Sequence, residues 1–116
     1  MSEQEEFSRE VRITRAQANT EIEKSEALAR LTANPDFKKV IVEGYLEKEA
    51  IRLASISATP HWDERQLANV MTDIKAISCL TQFLQKIERD GHLAKQTIEQ
   101  LDEAGVDEGL FVLGAE

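Results

Sequence analysis

Two histidines, one cysteine and a scatter of acidic pairs are the residues of this 116-residue chain whose types could do chemistry. His61 stands beside Trp62 and ahead of Asp63 and Glu64, a group able to hold a cation in an open loop. A polar turn, with Trp62 stapled onto the helix that follows, accounts for the same residues more simply. His92 follows Glu88 by four, but Gly91 lies between them and is expected to end the helix, which leaves His92 a capping or surface role. Helical di-metal sites need several inward Glu together with Glu-x-x-His pairs, and neither histidine supplies that spacing. Cys79 lies among Ile77, Leu80 and Phe83, where a thiol behaves as a small hydrophobe; catalysis would ask for a base and an electropositive setting, and neither is signalled nearby. The pairs Glu47 with Glu49 and Asp102 with Glu103 read as solvated helix faces, because paired carboxylates divide acid and base roles only inside a cleft. Gly-rich phosphate loops, Gly-x-Ser-x-Gly, paired cysteines and His-Glu-x-x-His do not occur in the sequence. The expectation is therefore no enzyme, no catalytic residue, no cofactor and no metal.

Charge narrows the partners. There are 22 Asp and Glu against 14 Lys and Arg, a formal charge of −8. Residues 1–58 carry eleven acids and nine bases, residues 59–116 eleven acids and five bases, and from Glu99 onward there are six acids and no base. Phosphate binding draws on clustered cations, so direct contact with nucleic acid is not expected. One cysteine forms no internal disulfide, which suits a reducing cytoplasm. No basic start leads into an apolar run, and no stretch approaches the roughly 18 apolar residues of a membrane span, so neither export nor membrane insertion is expected.

The elements that must position these residues are helices. Gly and Pro total seven, while Ala, Glu, Leu, Gln, Lys and Arg dominate. A first helix is expected over about 2–32, with Phe7, Val11, Ala18, Ile22 and Ala29 on one stripe, thinned by Thr14 and Ser25 between them. Such a helix gains from a partner or frays at its start, so the first twenty residues are expected to be loosely held or engaged in an oligomer. Asn34-Pro35-Asp36 starts a second helix: Asn accepts from orphan amides, Pro sits where its missing N–H costs nothing, and Asp meets the positive helix end. That helix should reach about residue 57. Phe37, Val40, Ile41 and Tyr45 form one apolar face and Val42, Leu46, Ala50 and Leu53 another, the pattern of a helix sandwiched between neighbours. Gly44 in its interior signals either close approach of another helix or mere tolerance.

Pro60 breaks the pattern at residues 58–62. Asp63 with Gln66 resembles a capping box, and Leu67, Val70, Met71, Ile74, Ile77, Leu80, Leu84 and Ile87 then recur at three and four. Arg89-Asp90-Gly91 should close this third helix. A short fourth helix carries Leu93, Ile98 and Leu101 to about Ala104, and Gly105 ends it. The fold class expected is all-α: an antiparallel bundle or hairpin of three long helices and one short helix, with 35–57 and 64–90 as the central pair. The domain is residues 1–105, and residues 106–116 form an extended C-terminal tail. In that tail Leu110, Phe111, Val112 and Leu113 are four consecutive apolar residues between Gly109 and Gly114, a run that asks to be covered by a partner or by its own domain. Phe7, Val11, Leu110, Phe111, Val112 and Leu113 are the partner-binding candidates.

The segment Asn34 to Ala54, NPDFKKVIVEGYLEKEAIRLA, resembles a stretch of the small acidic helical proteins encoded among the structural genes of tailed bacteriophages. It covers about a fifth of the chain, and the flanking helices add no motif of that group. The resemblance implies a virion or assembly component, found in the particle and in host cytoplasm during assembly, whose partners are other virion proteins or copies of itself. The alternative reading is an acidic inhibitor occupying a nucleic-acid-binding groove of a host protein. Against it, Asp73, Glu88 and Glu99 are scattered between Lys75, Lys86 and Lys95 instead of tracking phosphates on one face.

Overall fold

The structure, a computed structural model, describes residues 2–105. Helix α1 spans Glu3–Ala33, α2 spans 35–57 and α3 spans Glu64–Glu103, and no strand occurs among the described residues. The all-helical class is as expected, with three helices in place of four.

Local chemistry sets each helix start. Ser2 Oγ accepts from the Glu5 amide at 3.1 Å while Glu5 Oε2 accepts from the Ser2 amide at 3.4 Å, a capping box that was not among the expected signals. Asn34 sits in extended backbone, φ −70° and ψ 123°, and its Oδ1 accepts from the amides of Asp36 at 2.9 Å and Phe37 at 3.2 Å. The expected start at Asn34-Pro35-Asp36 therefore holds. So does the one at Asp63, where Asp63 Oδ1 accepts from the Gln66 amide at 2.7 Å and Gln66 Oε1 from the Asp63 amide at 3.2 Å.

Helix α2 opens with an α turn at Pro35–Phe37, continues as a π-helix over Lys38–Glu49 and returns to α geometry over Ala50–Ser57. Twelve π-helical residues in a row are far more than the usual single-turn π-bulge. Bonding from i to i+5 turns the chain less per residue, so adjacent side chains stay on one side. Ile41, Val42, Tyr45 and Leu46, which α spacing divides between two faces, are accordingly all half-buried, while Val40 is 63% exposed. Gly44 answers to this backbone and not to a neighbouring helix: a Cβ there would lie 3.0 Å from the Lys39 carbonyl oxygen of its own helix.

The expected break at Gly91 does not occur. Helix α3 runs through it to Glu103, and the glycine with positive φ is Gly105, at 68°, whose amide donates to the Asp102 carbonyl at 3.0 Å. Gly105 thus ends the helix as expected. Gly91 is glycine for a packing reason: an added Cβ would overlap Ser25 Cβ and Oγ of α1, with the Glu21 carbonyl oxygen 3.4 Å away.

The chain divides into two compact units. The terminal unit comprises Met1–Ala27 and Ile87–Glu116, the central unit Leu28–Lys86. In the terminal unit Ser8, Val11 and Ala18 are buried on α1, with Arg15, Ile22 and Ser25 half-buried, a line alternating three and four residues. Phe7 and Ala29, expected on that stripe, are exposed. The opposing line on α3 is Ile87, Gly91 and Ala94, buried, followed by the half-buried Ile98 and Leu101. Small side chains, Ser8, Ala18 and Ser25 on one line and Gly91 and Ala94 on the other, alternate with larger ones. In the central unit Leu53, Val70 and Ile77 form the core, with Tyr45, Leu46, Ala50, Ile56 and Ile74 packed against it.

Candidate functional site

The residues with chemical potential do not converge. No group of three or more His, Cys, Asp and Glu able to hold a metal occurs among the described residues. His61 is exposed in the turn between α2 and α3. His92 is exposed too, but inside a continuous helix, its Nε2 3.3 Å from Gln96 Nε2; the surface position expected for it stands, and the helix end that was the reason for it does not. Cys79, expected among apolar neighbours as a small hydrophobe, is exposed. The correction follows from phase: Ile77 points into the core of the central unit, and two residues on, about 200° around the helix, Cys79 points away from it.

Some charged side chains pair within their own helix or with a facing one. Glu49 accepts from Arg52 Nε at 3.0 Å and 3.1 Å through its two oxygens, and Arg52 Nη2 also meets Glu49 Oε1. These hydrogen bonds hold the Glu49 carboxyl below the usual carboxylate range and raise the Arg52 guanidinium. In the terminal unit Arg15 Nη1 donates to Asp102 Oδ1 at 3.1 Å, tying α1 to the end of α3. With Ser25 against Gly91 and Arg15 against Asp102, the two segments run antiparallel inside this unit. Alongside the seam lies an open groove of about 510 Å³, lined by Thr14, Ala18 and Glu21 from α1 and by Leu93, Ala94 and Thr97 from α3.

The partner-binding candidates are split by the structure. Phe7 is 43% exposed on α1, whereas Val11 is 6% exposed and already covered within the chain. Leu110, Phe111, Val112 and Leu113, and the tail 106–116 as a whole, lie outside the described residues. Sequence periodicity passed over other exposed apolar side chains: Val40 and Ile51 at 63%, Phe83 at 55% and Leu93 at 51%. Val40 was assigned to an inward face by α spacing and Phe83 was read only as a neighbour of Cys79. No helix among the described residues is long and apolar enough to cross a membrane. Compared with family models, with curated proteins and with solved structures, the chain matches none.

Proposed function

We propose that the chain is a non-enzymatic structural or assembly protein of a tailed bacteriophage particle, binding other virion proteins or copies of itself through helical faces and through the tail around Leu110 to Leu113. The observation that carries this reading is the set of large apolar side chains held open on the helices, Val40, Ile51, Phe83 and Leu93 above all. Helices fix such side chains in place, so a partner meets a preformed surface and orders little on binding. The stretch from Asn34 to Ala54 that resembles phage structural-cluster proteins supplies the setting, and it includes both Val40 and Ile51. In this reading the three helices form an antiparallel bundle with 35–57 and 64–90 as the central pair.

An acidic inhibitor of a nucleic-acid-binding protein is the weaker reading. Its acids would have to line one face at phosphate spacing, whereas Glu49 is occupied by Arg52 and Asp102 by Arg15. The test is to mix the purified chain with the products of neighbouring genes and with a nucleic-acid-binding host protein. A stable complex of fixed stoichiometry with a virion component is expected. Binding to the host protein alone, competed by DNA, would replace this reading with the inhibitor.

A further inference from the structure

Residues Lys38–Glu49 hold a hydrogen-bonding pattern that their composition does not ask for. π-helix is found mostly as single-turn bulges, often at functional sites, and here it continues for 12 residues. Apart from Gly44 the stretch consists of Lys, Glu, Leu, Val, Ile and Tyr, all of which an ordinary α-helix accepts. The reason for the wider pattern lies in packing. It turns Tyr45 and Leu46, together with Ala50, onto the cluster of Leu53, Val70 and Ile77, and it leaves Ile41 and Val42 half-buried. The α register of the same residues is a different surface. At 100° per residue, Val42, Leu46, Ala50 and Leu53 fall within about 80° of one another and stay on the core side, while Phe37, Ile41 and Tyr45 form a separate stripe centred about 140° away. Two effects therefore oppose each other: i to i+5 pairing is the rarer backbone state, and α pairing takes Ile41 and Tyr45 off the core side.

Gly44, the one glycine of α2, weights this balance. A Cβ there would lie 3.0 Å from the carbonyl oxygen of Lys39, five residues back, which is the acceptor that π pairing assigns to residue 44. That atom is backbone, with no side chain to swing aside. In the α register alanine is instead favoured over glycine by about two- to five-fold. We infer that residues 38–49 are a two-state element that exchanges between π and α registers, with Gly44 holding the balance toward π. Conversion swings Tyr45 out of the core cluster and lines up Phe37, Ile41 and Tyr45 on one stripe, with the change of phase taken up at Asn34, whose extended backbone precedes α2. The unit thereby changes which apolar side chains it shows without losing helix. This goes beyond the assembly reading and concerns the chain on its own.

The test is NMR of the isotope-labelled full chain, reading couplings across backbone hydrogen bonds together with relaxation dispersion, which reports helix register shifts on the μs–ms scale. In the wild type the amide of residue 44 is expected to couple to the Lys39 carbonyl, with exchange concentrated in residues 38–49. In Gly44→Ala the coupling should move to the Val40 carbonyl, four residues back, and the ring of Tyr45, the one tyrosine of the chain, should lose its proton contacts with the cluster of Leu53, Val70 and Ile77 while overall helicity is kept. Ser55→Ala, which favours helix outside the π stretch, should leave residue 44 paired with Lys39. A wild type whose residue 44 pairs with Val40 overturns the inference, and so do the absence of exchange in 38–49 and a Gly44→Ala chain that keeps the Lys39 pairing. Should Gly44→Ala fail to fold, the acceptor and the exchange in the wild type decide alone. All of this is read on the chain by itself, so failure here leaves the assembly reading to the mixing experiment.

Discussion

The absence of a side chain at Gly91 lets Ser25 of α1 lie directly against α3, with Ala18 and Ala94 continuing the seam in small residues. Replacing a helical glycine by alanine ordinarily stabilises by about 0.5–1 kcal/mol. Here the added Cβ meets Ser25 Cβ, which is not the end of a flexible side chain, and overpacking of that kind costs about 1–3 kcal/mol. Gly91→Ala should therefore lower the melting temperature. Ser25→Gly in the same chain should restore part of the loss, a non-additivity that thermal unfolding of the two single variants and the double variant reads out. At Glu49 the hydrogen bonds from Arg52 lower the folded-state carboxyl pKa. A depressed pKa contributes stability that is present above the unfolded value and disappears as pH falls through the folded one. The stability difference between wild type and Glu49→Gln should accordingly be small at neutral pH, shrink further on acidification below the carboxylate range, and weaken in salt, because the pair is open to solvent. A difference that grows on acidification would contradict the assignment.

Among the elements, α2 and α3 depend on their caps and on one apolar cluster. Removing the Asn34 side chain leaves the Asp36 and Phe37 amides without their acceptor, so Asn34→Ala should cost about 1 kcal/mol in denaturant unfolding. Ile77, 3% exposed at the centre of the cluster, should cost about 2–5 kcal/mol on truncation to Ala. A melting temperature unchanged in Ile77→Ala would remove the core assigned to the central unit. The helix starts were legible in the sequence because capping is local: Asn34, Asp63 and Gln66 bond within three residues of themselves. The cluster was legible too, through the recurrence of Val70, Ile74 and Ile77. What was hidden depends on the rest of the fold. Gly91 carries the residue type of a helix end, and only Ser25, distant in sequence, explains why a glycine stands inside the helix. The buried line of α1 was read through its apolar residues alone, which missed Ser8 and put Phe7 and Ala29 inside. The π-helical stretch Lys38–Glu49 has no spacing signature that an α template would register, so Val40 was assigned to the wrong side.

At the scale of the whole molecule, 116 residues divide into two small units, one with a seam of mixed small and aliphatic side chains and one with a core of Leu53, Val70 and Ile77, while Val40, Ile51, Phe83 and Leu93 remain open. Small cores bury a limited share of their surface, and exposed apolar side chains on rigid helices are what association would cover. The same surface shows why function was less legible than fold. A binding face is defined by what its partner presents, and no motif of this chain encodes that, whereas caps and cores are defined within the chain. The central claim is that these faces exist for assembly. Its most direct test is static light scattering of the purified chain, alone across a concentration series and mixed with the products of neighbouring structural genes. The expected result is a mass above 13.1 kDa for the chain alone at the higher concentrations and a complex of fixed stoichiometry in at least one mixture. A mass of 13.1 kDa under every condition would contradict it.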